Sequence, residues 1–164
     1  MTDLDPAQGP AQRLEALGLT LPAVAMPVAA YMPAVRSGNH IYTAGQLPTV
    51  DGKLLATGKV GAEVGVAEAA ALARTCALNA LAAVVSLTGS LSVIKRIVKV
   101  TGYVASAADF TSQAQVINGA SELLLEIFGE AGRHARSAVG TAVLPLDSPV
   151  EVEFIVEVHE SAAG

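Results

Sequence analysis

The sequence predicts an α+β fold in which two helices cover one face of a single mixed β-sheet. Two segments have helical periodicity, and the strand-like segments around them give the order ββ(β)αβαββ, which is typical of such a domain. The chain has 164 residues, of which 52% are hydrophobic. This is enough apolar material to bury one core without disulfides or metals.

Residues 1–30 are predicted to form an N-terminal arm with a short helix, ahead of a single domain at 31–160. Leu14 and Leu17 fall at helical spacing in "AQRLEALGLTLP", and Gly18 follows them as a stop signal. After the arm, the apolar pattern changes to a period of two, which indicates strands.

The start of the domain predicts a hairpin and a further tight turn. Two strand-like runs flank Ser37, Gly38 and Asn39, a combination that is typical of a hairpin turn. Asp51 and Gly52 then indicate a second turn, with a short third strand as an option.

Two amphipathic helices with a strand between them are predicted in the middle of the chain. Apolar residues recur every three or four positions over 62–88. The β-branched segment 93–105 predicts a long strand. A second helix is predicted over 112–129, where Ser112 and Gln115 fit a capping box.

Two final strands are predicted, at 135–144 and 150–159. Apolar and mostly charged residues alternate along the last strand, so its glutamates fall on the face away from the helices. Because Ile155 interrupts that row and the chain has few charges, we expect another subunit to cover part of this face. One face carries Val150, Val152, Phe154, Val156 and Val158, and the other carries Glu151, Glu153, Ile155, Glu157 and His159.

Composition disfavours nucleic-acid and membrane functions. The net charge is −5 and aromatic residues make up 4% of the chain, whereas nucleic-acid binders combine a basic stripe with stacking aromatics. The N-terminal "MTDLD" is acidic, and prolines interrupt the apolar run after it, unlike a signal peptide. A cytoplasmic protein without a membrane span is therefore expected.

No metal or cofactor site is predicted. Cys76 is the single cysteine and is expected to be buried in a helix. The histidines, His40, His134 and His159, lack the spacing of metal ligands. His134 is close to Arg136 in the sequence, so bordering the same cleft is one interpretation of it.

Arg136 and Glu151 are the residues most indicative of chemistry. A guanidinium binds a carboxylate through two parallel hydrogen bonds and stays charged near neutral pH. A glutamate beside it can orient or deprotonate a water molecule. Because a tight connection joins their strands, we expect both side chains to reach one region, suited to a small 2-oxo or 2-imino acid. The alternative is an inter-strand salt bridge.

Three stretches carry a resemblance to a known family: "SGNHIYTAGQLP", "VASAADF" and "ARSAVGTAVLP…VEVE". Over about residues 31–159 the chain resembles the RidA (YjgF) family of reactive intermediate deaminases, some of which are called L-PSP endoribonucleases. The resemblance implies a chorismate-mutase-like fold and a homotrimer with clefts between its subunits. It also implies cofactor-free hydrolysis of small enamine and imine acids to 2-oxo acids and ammonia.

The resemblance also implies a set of site residues. Arg136 matches the family's carboxylate-binding arginine, and Glu151 matches the glutamate that positions water. Tyr31 matches a tyrosine of the cleft, and Asn118 matches an asparagine on the second helix. The backbone N–H of Ala138 would complete the anion site.

Several positions depart from the family's pattern. Ala29 and Ala30 replace its Gly-Pro, Ala44 replaces a serine, and Ala138 replaces a cysteine. The carboxylate anchor is thus retained while the cleft around the reacting carbon is altered.

Three functions therefore remain open. The first is an imine and enamine deaminase, and the second is a non-catalytic 2-oxo acid binding protein, which the missing hydroxyl at Ala44 favours. The third is the ribonuclease of the family's older label, which an acidic chain with few aromatics disfavours.

Overall fold

The chain forms a five-stranded mixed sheet with its helices packed on one face, which confirms the predicted fold class. The computed structural model describes residues 8–24 and 30–160, so parts of the predicted arm, 1–7 and 25–29, lie outside the described residues. The elements are α1 (Pro10–Ala16), β1 (Ala34–Ser37), β2 (His40–Thr43), β3 (Thr49–Val50), β4 (Lys53–Leu54), α2 (Val66–Thr88), β5 (Ile94–Ala105), α3 (Gln113–Phe128), β6 (Ala135–Thr141) and β7 (Val150–Val158).

The strand order of the main sheet decides which residues can meet. The order is β1-β2-β7-β5-β6, so β5 separates the last two strands of the chain. Neighbouring strands are antiparallel except β5 and β6, which are parallel and joined through α3. Strand β6 forms one edge of the sheet, and α3 packs against both β5 and β6.

Both predicted turns are present. Gly38 lies between β1 and β2 with φ of 58°, a left-handed conformation that glycine adopts without strain. Asp51 and Gly52 also have positive φ and connect β3 to β4. The possible third strand is therefore β3, which pairs with β4 in a short two-stranded hairpin separate from the main sheet.

The core lies between the sheet and the helices α2 and α3. The alternation predicted for the last strand is confirmed, because its five apolar residues are buried and the residues between them are half-buried. Cys76 is fully buried in α2, as expected. Helix α2 is long and apolar enough to span a membrane, but much of it packs inside this core. Leu14 of α1 is buried in the same core.

Three local predictions need correction. The side chain of Ser112 makes no capping hydrogen bond, so the predicted capping box is wrong; Gln113 instead donates to the carbonyl of Phe110. Strand β6 ends at Thr141 rather than at 144, because the chain turns into a short 3₁₀ segment at Pro145–Asp147. Helix α2 begins at Val66, four residues later than predicted.

Candidate functional site

Arg136 lies at the edge of the sheet, on the face covered by the helices. It pairs with buried Val100 in the parallel β5, and paired residues of parallel strands project to the same face. Helix α3 crosses over this edge because it connects β5 to β6. Asn118 and Ser121, one helical turn apart on α3, both reach the guanidinium. Its Nη1 donates to Asn118 Oδ1 at 2.8 Å and to Ser121 Oγ at 3.2 Å.

Within the described part of the subunit, no carboxylate pairs with the charge of Arg136. Among the ion pairs within residues 8–24 and 30–160, none involves Arg136. The alternative of a salt bridge to Glu151 is therefore absent from the described part of the chain. The two acceptors on α3 are neutral, so they orient the guanidinium without cancelling its charge. The group remains able to bind an anion.

Ala138 lies close to Arg136 on the same face of β6. It follows Arg136 by two residues and faces α3, opposite Gly102 in β5. The carbonyl of Thr141 accepts from Ser106 on the β5 side of the strand. Because successive peptide groups of a strand point to alternate sides, the N–H of Ala138 points to the open edge. Arg136, Asn118 and the Ala138 N–H are thus brought together.

Two further residues extend this region, which we call the anion half-site. His134 Nε2 lies 3.0 Å from Ser121 Oγ, and His134 Nδ1 lies 2.6 Å from the carbonyl oxygen of Gly132. These residues line a surface cavity of about 270 Å³ together with Arg136, Arg133 and Leu125. The sequence pointed to His134 through its closeness to Arg136. Ser121 was missed, although its spacing of three residues from Asn118 places both on one face of α3.

Glu151 lies elsewhere in the subunit, which corrects the expectation that it shares a region with Arg136. It projects from the face of the sheet opposite the helices, which we call the open face. Strand β5 lies between the two residues, so they are separated by two strand spacings, about 10 Å. They are also offset along the strands, since Arg136 pairs with Val100 and Glu151 with Tyr103. The prediction assumed that strands joined by a tight connection are neighbours, but β7 pairs with β5 and not with β6.

The surroundings of Glu151 favour proton transfer. Its side chain is half-buried and lies against Gly45, where a Cβ would fall 1.8 Å from Glu151 Oε1. Burial, and next the negative charge of Glu153, raise the pKa of the Glu151 carboxyl above its usual value. Tyr103 Oη donates to Glu153 Oε1 at 3.3 Å and so occupies the second carboxylate. Glu151 is therefore suited to accept a proton from water.

Tyr31 lies just before β1, and no hydrogen bond links it to Glu151 within residues 8–24 and 30–160. It lies two residues before Pro33, whose carbonyl accepts from the N–H of Ala44, next to Gly45. Its side chain is 57% exposed. Glu151 and Gly45 form a second group, the glutamate half-site, on the side of the sheet away from Arg136, and the structure does not bring Tyr31 into contact with it.

The fold and the two half-sites define a class: a small α+β protein with an exposed arginine at a sheet edge, held by two neutral side chains of α3. Residues 11–158 match the family described as "YjgF/chorismate_mutase-like, putative endoribonuclease". The chain belongs to this family, which confirms the resemblance found in the sequence.

Several known proteins are similar to this chain over most of its length. Protein TCP17 of Trypanosoma cruzi is 45% identical, over 91% of this chain and 94% of its own. The structure of Atu1372, a protein of unknown function from Agrobacterium tumefaciens, is 48% identical with a TM-score of 0.85, covering 92% and 93%. TdcF of E. coli, solved with bound serine, is 26% identical with a TM-score of 0.59, covering 85% and 94%.

Replacing Asn118 with Asp is expected to weaken binding of a carboxylate ligand about tenfold or more, since hydrogen bonds to charged groups contribute about 1.5–3 kcal/mol. Asn118 Oδ1 already lies 2.8 Å from Arg136 Nη1, so an aspartate there would give the guanidinium an internal partner. Titration calorimetry with pyruvate measures the loss. The exposed Ser92, which precedes β5 and lies eight residues before Val100, supplies the control: Ser92→Asp adds the same charge away from Arg136. Equal affinities of Asn118→Asp and wild type would contradict the assignment of Arg136 as the anchor.

Proposed function

We propose that the protein hydrolyses small 2-imino and enamine acids to 2-oxo acids and ammonia at clefts between the subunits of a homotrimer. The observation that carries this proposal is the guanidinium of Arg136, oriented by two neutral acceptors and without a carboxylate partner in the described chain. A ligand carboxylate is the natural partner for such a group.

In the proposed reaction, the two half-sites come from different subunits. Arg136 of one subunit holds the substrate carboxylate, with the Ala138 N–H beside it. Glu151 of a neighbouring subunit accepts a proton from water, whose oxygen forms a bond to the imine carbon. The electron pair of the C=N bond passes to nitrogen, which takes up a proton; an enamine first takes up a proton at its terminal carbon to become the imine. In the resulting aminoalcohol the hydroxyl group loses its proton and forms the C=O bond of the 2-oxo acid while the protonated nitrogen leaves as ammonia. The carboxylate anchor fixes the imine carbon relative to Glu151.

Two features support assembly into a multimer. The half-sites lie on opposite faces of one sheet, so a single subunit cannot bring both to one ligand. The open face also exposes apolar side chains, as expected of a surface that another subunit covers. These are Val35, Tyr42 and Val139, which are 52%, 41% and 43% exposed.

A relative supports the choice of a carboxylate ligand. TdcF was solved with bound serine, which carries a carboxylate on the carbon next to its amino group. The 2-imino and enamine acids have the same arrangement of carboxylate, carbon and nitrogen, so an anion anchor of the same kind suits them.

A non-catalytic 2-oxo acid binding protein is the second candidate. Ala44 and Ala138 lack the side-chain polar atoms that the family's pattern places at these positions, while the anchor at Arg136 is complete. This combination fits binding without turnover. The endoribonuclease of the family's description is less favoured, because the chain has a net charge of −5 and few aromatic residues.

Imine hydrolysis in the presence of a chemical trap separates the first two candidates. An amino-acid oxidase generates imino acids in place, and semicarbazide reports how much imine survives. Faster loss of imine with the protein than with heat-denatured protein is expected. Saturable binding of 2-oxo acids without faster loss would favour the binding protein.

A further inference from the structure

A series of hydrogen bonds links the backbone of Gly132 to the guanidinium of Arg136 through His134 and Ser121. Within the described residues, neither His134 nor Ser121 forms a hydrogen bond with Glu151. Gly132 O lies 2.6 Å from His134 Nδ1, His134 Nε2 lies 3.0 Å from Ser121 Oγ, and Ser121 Oγ lies 3.2 Å from Arg136 Nη1. His134 and Ser121 are half-buried, and Gly132 is buried. These hydrogen bonds are therefore partly shielded from solvent, at the wall of the surface cavity.

The chemistry of the two ends fixes the direction of every bond in this series. A carbonyl oxygen only accepts, so Nδ1 of His134 carries the proton that Gly132 receives. In the neutral ring, Nε2 is then an acceptor, and Ser121 donates its hydroxyl proton to it. The lone pairs of Ser121 Oγ are thereby free for Arg136, whose guanidinium only donates. A serine hydroxyl that otherwise rotates is held as an acceptor.

The neutral form of His134 is also the form that its environment favours. Burial, and to a lesser degree the positive charge of Arg136, lower the pKa of His134 against the raising effect of the Gly132 carbonyl. Arg133, which lines the same cavity, is paired with Glu130. From α3, the contact of His134 is the uncharged Ser121.

We propose that Ser121 and His134 are positioning residues, which hold Nη1 of Arg136 against α3 so that its remaining donors face the ligand. Asn118 and Ser121 together occupy Nη1, and within residues 8–24 and 30–160 no hydrogen bond uses Nε or Nη2 of Arg136. Two donors on one edge of the guanidinium match the two oxygens of a carboxylate. This inference rests on the proposed function of Arg136 as a carboxylate anchor.

The test compares pyruvate affinity, measured by calorimetry, with nitrogen-15 spectra of the ligand-free protein. We expect Ser121→Ala and His134→Ala to weaken binding about three- to tenfold, the usual effect of losing one hydrogen bond. Ser121→Thr keeps the hydroxyl and His134→Gln keeps an acceptor for it, so both are expected to restore affinity. In the spectra, His134 is expected to carry its proton on Nδ1. The Nη1 and Nη2 signals of Arg136 are expected to be separate in wild type and to merge in the two alanine variants.

Failure of this inference differs from failure of the proposed function. The inference is overturned if His134 carries its proton on Nε2 alone. It is also overturned if both alanine variants bind pyruvate like wild type while Arg136→Ala loses binding. The proposed function fails instead if wild type binds no pyruvate, or if Arg136→Ala binds it equally well. In that case the ligand-free Arg136 signals alone decide whether Ser121 and His134 position the guanidinium.

Discussion

Replacing Arg136 with Ala is expected to lower the affinity for pyruvate about 100-fold or more, and to remove imine hydrolysis with it. Truncating one member of a hydrogen-bonded charge pair costs about 2–5 kcal/mol of binding free energy. Within the described residues no other cation contacts Asn118 or Ser121, so none replaces the guanidinium. Calorimetry with pyruvate and the trapping assay measure the two losses separately.

Two control variants sharpen this experiment. Arg36→Ala removes another exposed arginine, whose one hydrogen bond within the described residues goes to the carbonyl of Gly38 in the hairpin turn, and should leave both readouts unchanged. Arg136→Lys keeps the charge but not the planar pair of donors, and should recover only part of the affinity. If Arg136→Ala binds pyruvate as wild type does, the anion half-site is not the ligand site.

Replacing Glu151 with Gln is expected to lower turnover of imino acids about 100-fold or more, the usual contribution of a general base. Pyruvate affinity is expected to change little, because the ligand carboxylate binds Arg136 and the Ala138 N–H, and glutamine keeps the size of the glutamate side chain. In wild type, turnover should fall with decreasing pH as the carboxylate is protonated. This fall should occur at a higher pH than for an ordinary glutamate, because burial raises the pKa of Glu151. The residual turnover of Glu151→Gln should lack this dependence.

A second variant tests the same carboxylate without changing it. Gly45→Ala places a methyl group where Glu151 Oε1 now lies, and the flexible end of the glutamate must move. Turnover is expected to fall while pyruvate still binds. The base assignment would be wrong if Glu151→Gln keeps full turnover.

The sequence predicted the fold well because most of the pattern is local. The alternation over 150–158 and the periodicity of the two long helices each follow from neighbours in the chain. The turns at Gly38 and Asp51 were equally predictable from the sequence, since few residue types adopt positive φ. The boundaries of β6 and α2 were less accurate because apolar periodicity does not mark the turn toward Pro145 after β6 or the N-cap at Gly65 before α2.

The site was predicted only in part, for a physical reason. Arg136 and Asn118 were placed together by family resemblance, and their hydrogen bond is present. The relation of Arg136 to Glu151 depends on strand order, which a short connection does not reveal when β5 inserts between the two strands. Ser121 was missed because its spacing of three residues from Asn118 shows only a shared helix face, and its role depends on its partner, His134.

The placement of the half-sites on opposite faces of the sheet has a genetic consequence. If each subunit gives its arginine to one cleft and its glutamate to another, defects in the two halves belong to different sites. Arg136→Ala and Glu151→Gln subunits, each inactive alone, would then complement one another when refolded as a mixture. In a ring with random mixing, about a quarter of the clefts would combine the intact arginine of one parent with the intact glutamate of the other. Two null alleles of this gene would thus produce a partly active protein together.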